Sequence, residues 1–234
     1  MQFPGNACFP LPVKKPLNFR WFNGAMTDRP KVFCIGFQKT GTTSLHAALE
    51  TLGYRTAAVA GRGWSADRLA AEGASLCVET ARDFDAVQDM PWPLFFRELD
   101  EAFPGSKFVL TVRDPEKWFA SIEGHFGANE GEMQAFVYGR DAAAPAGNKA
   151  RYTETLRAHE AAVRAHFAGR AGDLLVMNLE AGDGWNALCA FLGAPVPKAP
   201  FPARNKASDR KTLSFRVRRK VGRLFGRYLA PEKI

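Results

Sequence analysis

Lys31-Val-Phe-Cys-Ile-Gly-Phe-Gln-Lys-Thr-Gly-Thr-Thr-Ser-Leu45 is the stretch on which the reading of this 234-residue chain turns. Val32 to Ile35 is a short apolar run with β-branched residues, the pattern of a strand buried on both faces. Gly36 and Gly41 then punctuate a turn, and Leu45, Ala48, Leu49 and Leu52 recur at helical spacing until Gly53 stops the helix. A glycine loop between a strand and a helix lets backbone N–H groups converge on an anion. Thr42, Thr43 and Ser44 add hydroxyls at the positive end of the helix, and Lys39 adds a full charge.

The spacing Gly36-x4-Gly41 is that of a Walker P-loop, but Thr42 stands where a nucleoside-triphosphate hydrolase needs its lysine. Here the lysine lies on the other side of the glycine. Read alone, the same residues also describe an ordinary strand-to-helix turn rich in small residues.

Working outward, Tyr54 to Ala60 is expected to give a second strand, Trp64 to Glu72 a helix and Ser75 to Val78 another strand. Asp83, Asp85 and Asp89 alternate with apolar residues ahead of Pro91 and Pro93. A helix is expected over Leu94 to Phe103, and Lys107 to Val112 is the clearest strand in the sequence. Asp114 is placed to cap the next helix, with Pro115 in its first turn. Gly124 to Gly147, rich in Gly and Ala, reads as a mobile lid or irregular loop. Arg151 to Phe167 is expected as a helix, Asp173 to Met177 as the last core strand and Gly184 to Leu192 as a helix. Strands alternating with helices imply a three-layer α/β/α domain around a central parallel sheet. In such sheets ligands bind outside the carboxyl ends of the strands, so Arg113 should share a crevice with the Lys39 loop.

With 46% apolar and 24% charged residues, the chain has an ordinary globular composition, long enough for one well-buried α/β domain and short for two. No apolar run approaches the ~20 residues of a membrane span, and the N-terminus lacks a signal-peptide layout, so a cytoplasmic protein is expected. Cys8, Cys34, Cys77 and Cys189 show no zinc spacing; Cys34 and Cys189 read as core hydrophobes. Of the net charge of +8, residues from Arg204 onward contribute eleven Lys/Arg against Asp209 and Glu232. The preceding chain is therefore nearly neutral, which speaks against nucleic acid as a partner. Residues 1–30 form a proline-rich arm expected to pack in extended form. From Lys211, Val217, Val221, Leu224, Phe225 and Tyr228 fall on one face of a basic amphipathic helix, which would either rest on an anionic membrane surface, on the inner face, or pack on the domain.

Gln38-Lys-Thr-Gly-Thr-Thr-Ser44 resembles the phosphosulfate-binding loop of the sulfotransferases, which use 3'-phosphoadenosine 5'-phosphosulfate (PAPS) and share the P-loop nucleotide-kinase-like architecture. In that family an arginine at a strand end and a serine eight residues later hold the 3'-phosphate; Arg113 and Ser121 reproduce the spacing. The resemblance runs from about Lys31 to Asn205 and is strongest to the short bacterial branch. It continues through Leu110-Thr-Val-Arg-Asp-Pro-Glu-Lys-Trp118, Phe191-Leu-Gly-Ala-Pro-Val-Pro197 and Phe201-Pro-Ala-Arg-Asn205. It implies Gln38, Lys39, Thr40, Gly41, Thr42, Thr43, Ser44, Arg113 and Ser121 as the cofactor site, no metal, and PAP as the product.

One departure stands out. Cytosolic sulfotransferases carry Lys-Thr-His before Leu-Pro, whereas here the stretch reads Val87-Gln-Asp-Met-Pro91, with Asp89 in the histidine's place and no lysine two residues before it. Asp89 is the first choice for the base that takes the acceptor's proton, with Asp85 and Glu79 as alternatives; as an N-cap type, Asp89 could instead cap the following helix. The reaction implied is sulfuryl transfer to a hydroxyl or amine of a small-molecule, lipid or glycan acceptor. Rival readings are a P-loop small-molecule or nucleotide kinase, or a non-catalytic anionic-lipid-binding protein that relies on the basic tail.

Overall fold

Val32–Cys34 (β3) lies at the centre of a five-stranded parallel sheet because its side chains are apolar on both sides. The computed structural model describes residues 29–203, together with the backbone of a short antiparallel pair, Trp21–Phe22 (β1) and Ala25–Met26 (β2). The rest of the proline-rich arm and the tail from Arg204, including the amphipathic helix expected there, lie outside the described residues.

The strand order is β4-β5-β3-β6-β7, with Thr56–Ala57 as β4, Ala86–Val87 as β5, Lys107–Thr111 as β6 and Leu174–Met177 as β7. Strand alternation sends Phe33, Ile35, Phe108 and Leu110 to one face, and Val32, Cys34 and Val109 to the other. Thr42–Thr51 (α1) and Trp185–Leu192 (α7) cover the second face through Leu45, Ala48, Leu188 and Cys189. The first is covered by Ala66–Arg82 (α2), Phe96–Ala102 (α3) and Lys149–His166 (α6), through Cys77, Ala81, Phe96, Leu99 and Val163. This is the three-layer arrangement that the alternating elements imply. Cys34, Cys77 and Cys189 are free and buried, and burial pushes the Cys77 thiol up to about 12. No helix among the described residues is long and apolar enough to cross a membrane.

Two expectations are corrected. Ser75 to Val78 is not a strand but the second half of α2, whose buried residues Leu69, Gly73, Cys77 and Ala81 recur every four positions; Ser65 caps its start by accepting the Arg68 N–H. A short apolar run cannot by itself distinguish strand from buried helix, and here the longer period wins. The third strand is instead the two-residue β5.

The stretch Gly124 to Gly147 is likewise not an irregular loop. Its first residues complete Pro115–Phe126 (α4), and Glu132–Tyr138 (α5) follows, leading into a single 3₁₀ turn at Arg140–Ala142. The Tyr138 ring stacks on Tyr152 of α6 with centroids 3.6 Å apart, and the Glu132 carboxylate accepts the Ala66 N–H at the start of α2. Two helices therefore hold α5 in place.

Candidate functional site

The loop between β3 and α1 needs both of its glycines, for different reasons. A Cβ on Gly36 would lie 2.0 Å from the Thr111 hydroxyl, because the end of β3 runs hard against β6. Gly41 takes φ 116°, which favours glycine, and a Cβ there would lie 2.5 Å from Leu179. Gly41 is also the N-cap of α1, and no side chain caps that helix end. The Ser44 N–H returns to the Gly41 carbonyl at 3.0 Å, so the helix start is closed by backbone alone and its positive end faces a ligand without a side chain in the way.

Donors from α4, α6, the segment after β6 and the loop itself hold the loop's carbonyls. His159 of α6 bonds the Ile35 carbonyl at 2.7 Å; burial drives its pKa down to about 4, so it is a neutral ring donating through Nε2. The Thr40 hydroxyl donates to the Phe37 carbonyl, the Trp118 indole to Gln38 and Arg113 Nη1 to Lys39. With these carbonyls tied and the Thr40 N–H returned to Phe37, the backbone path of the loop is fixed. Lys39 itself sits at φ 69°, a left-handed conformation that a lysine adopts only when its surroundings impose it.

Arg113 stands two residues beyond the end of β6, and α4 starts two residues later with Asp114 as its cap, accepting the Lys117 N–H. Successive turns put Lys117 and Ser121 on the cleft side of α4 below Arg113. The guanidinium bonds the Lys39 carbonyl at 3.1 Å and pairs with Glu180 at 2.5 Å, while its Nε is a buried donor without a partner. Glu180 stands in the turn after β7, which Asn178 organises by accepting the Glu180 and Ala181 amides.

An anion seated on Arg113 must therefore displace Glu180 or lie beside its negative charge. Glu180→Gln is expected to tighten the binding of a nucleotide 3'-phosphate by up to about fivefold, the scale of a partly exposed ion pair. Calorimetric titration with PAP checks this; weaker binding by the variant would show that Glu180 serves to aim Arg113.

Asp89 lies two residues beyond β5, at φ 73°; it and Lys39 are the non-glycine residues with positive φ among those described. Its carboxylate accepts the N–H of Met90 at 2.9 Å. It does not cap the 3₁₀ helix Trp92–Phe95 that follows, which has Pro91 at its N-cap and no side-chain cap. Burial pushes its pKa above the usual carboxylate range, opposed by the Met90 N–H and by the charges of Lys39 and Arg62. A carboxylate so placed is a stronger base than one in water.

One cleft of about 1500 Å³ joins these features at the carboxyl ends of the strands; Gln38 to Ser44, Asp89, Arg113 and Ser121 all line it. Of these, Thr40 turns its hydroxyl inward onto Phe37 and Thr111 and has none to offer a ligand. Asp85 is held by Arg29 and Arg55, and Glu79 is exposed on α2; neither lines the cleft. Arg62, Lys117, Glu132 and Glu180 line it without having been singled out in the sequence, and so does His125, which its place in the helix after Arg113 allows to face the cleft. For Lys117 the signal was present, midway between Arg113 and Ser121 at helical spacing. Nothing local marks Glu180.

A curated fungal relative, Ava biosynthesis cluster protein M of Aspergillus versicolor, is 26% identical over 216 residues, covering 74% of this chain and 79% of its own. The crystal structure of a sulfotransferase from Alicyclobacillus acidocaldarius aligns over 85% of this chain and 95% of its own, with 18% identity and a TM-score of 0.47. The model of the sulfotransferase domain matches residues 31–210, from the first residue before β3 past the last described residue, and the chain belongs to that family.

Proposed function

We propose that this protein transfers a sulfuryl group from PAPS to a hydroxyl or amine of a small-molecule, lipid or glycan acceptor. The observation that carries this is one cleft that gathers an uncapped helix N-terminus, Lys39, Arg113 and Asp89 from three strand ends. The residues present fit the nucleotide. Arg113 keeps a buried Nε without a partner, suited to a phosphate oxygen, and the α1 amides and the Thr42 and Thr43 hydroxyls suit the phosphosulfate.

When bound, PAPS supplies a sulfuryl group on a good leaving phosphate. Arg113, with Ser121 one face along α4, fixes the nucleotide by its 3'-phosphate. Lys39, held at a strained backbone position beside the α1 amides, opposes the charge that grows on the departing phosphate oxygen. Asp89, made more basic by burial, takes the acceptor's proton.

Titration with PAP and with AMP tests the assignment. PAP is expected to bind about 10- to 150-fold more tightly, the worth of one charge-assisted contact of ~1.5–3 kcal/mol. Arg113→Ala should remove most of that difference. Equal affinity for the two nucleotides in the wild type would defeat the PAPS reading.

A further inference from the structure

Building on the sulfuryl-transfer reading, we propose that Arg62 is a second cation facing the sulfuryl group in flight, acting across the cleft from Lys39. The position two before Asp89, where related enzymes have a lysine, is Val87, buried in the sheet at 1% exposure and unable to reach a ligand. That leaves Lys39 alone on its side of the reaction unless another element contributes charge.

The neighbouring strand provides one. β4 pairs with β5 in parallel register, Ala57 opposite Val87, so the loops leaving their carboxyl ends open side by side into the cleft. Asp89 comes from one loop and Arg62 from the other, and both line the cleft. The charge of Arg62 reaches Asp89 together with that of Lys39.

The roots of the Arg62 loop are anchored while its tip is not. The Trp92 indole donates to the Ala58 carbonyl at 2.6 Å, the Trp64 N–H returns to the Gly61 carbonyl at 3.0 Å, and the Arg68 guanidinium covers the Trp64 ring at 3.8 Å. Gly61 and Gly63, at φ 63° and 84°, flank Arg62 with left-handed backbone, which turns a single residue outward from an anchored loop. Among the described residues Arg62 makes no hydrogen bond or ion pair, whereas Arg113, the cleft's other guanidinium, is held by the Lys39 carbonyl and Glu180. An exposed arginine on an anchored loop, beside a buried carboxylate and opposite an ammonium, is placed to meet an anionic ligand between them.

In the step itself the S–O bond to the phosphosulfate breaks, and its electron pair stays on the phosphate oxygen of PAP. A new bond forms from sulfur to the acceptor oxygen or nitrogen, whose proton passes to Asp89. Negative charge lies on the three sulfuryl oxygens throughout, and a planar guanidinium donates to two such oxygens at once. Arg62 therefore has two effects: it lowers the energy of the planar group in transit, and it keeps Asp89 ionised against its burial. The other charged or titratable side chains lining this cleft are Lys39, Arg113, Lys117, His125, Glu132, Glu180 and Asp183; Glu132 is engaged with the Ala66 N–H and Arg140.

The test uses the full chain with PAP and nitrate, a planar anion of three oxygens that mimics the group in transit. In the wild type nitrate should tighten PAP binding; in Arg62→Gln that gain should be lost with affinity for PAP alone unchanged, and Arg62→Lys should keep part of it. Release of sulfate from PAPS to water needs no acceptor and should fall by about 10²-fold in Arg62→Gln. The acid limb of that profile should also move to higher pH, because Asp89 loses a favourable charge; thermal melts establish that the variant is folded. A nitrate effect absent in the wild type, or intact in Arg62→Gln, overturns the proposal. Wild type that fails to bind PAP at all would instead remove the sulfuryl-transfer reading on which it rests.

Discussion

Lys39→Ala is expected to lower turnover of PAPS by about 10²–10³-fold while changing affinity for PAP by only a few-fold. A charge aimed at an oxygen that becomes more negative as its bond to sulfur breaks acts mainly in the transition state, and removing one preorganised donor costs about that factor. The backbone is not an escape from this prediction. Lysine and alanine both carry a Cβ, so the strain at φ 69° is carried equally by both, and the carbonyl of residue 39 still accepts from Arg113. Steady-state kinetics alongside calorimetry with PAP make the separation. A variant with unchanged kcat and a raised KM for PAPS would make Lys39 a binding residue only, since losing interactions common to both states leaves kcat alone.

How much of this was legible beforehand follows from the range of the forces involved. The loop, β6 and α4 could be read because local signals agree there: two glycines at fixed spacing, a β-branched run, and an Asp-Pro start to a helix. That Arg113 and the Lys39 loop share one cleft followed from strand order alone, and the structure adds the bond from Arg113 to the Lys39 carbonyl. Ser75 to Val78 reads as a strand because the three-residue apolar run Leu76 to Val78 fits either period; the deciding contacts of Cys77 and Ala81 with the sheet are tertiary. Glycine and alanine content suggests a mobile lid or irregular loop over Gly124 to Gly147, yet its middle is a helix held by the stacking of Tyr138 on Tyr152 of α6. Composition cannot show such a pairing. Arg62 and Glu180 were missed for the same reason, as each is an ordinary surface charge until the fold brings it beside Asp89 or Arg113.

Asp89→Asn is expected to abolish transfer, by about 10²–10⁴-fold in kcat, while leaving affinity for PAP nearly intact. The substitution suits this position unusually well. Asparagine adopts the left-handed region with aspartate's ease, so φ 73° is no obstacle, and its Oδ1 can still accept the Met90 N–H. What it lacks is the ability to take a proton. A second readout separates this from simple damage to the fold. Because burial raises the Asp89 pKa in the folded state above its unfolded value, the folded protein binds that proton more tightly. Stability is thus favoured below the unfolded value and is lost as pH rises through the folded one. Asparagine carries no such cost, so the melting temperature of the variant should match the wild type in acid and exceed it near neutrality. In the wild type, activity should fall as pH drops through the raised pKa, and the residual activity of Asp89→Asn should lack that limb. If the variant turns over within about threefold of the wild type, Asp89 is not the base. Asp85 and Glu79, held outside the cleft, could not replace it, and the search would pass to His125 and Glu132, which line the same cleft.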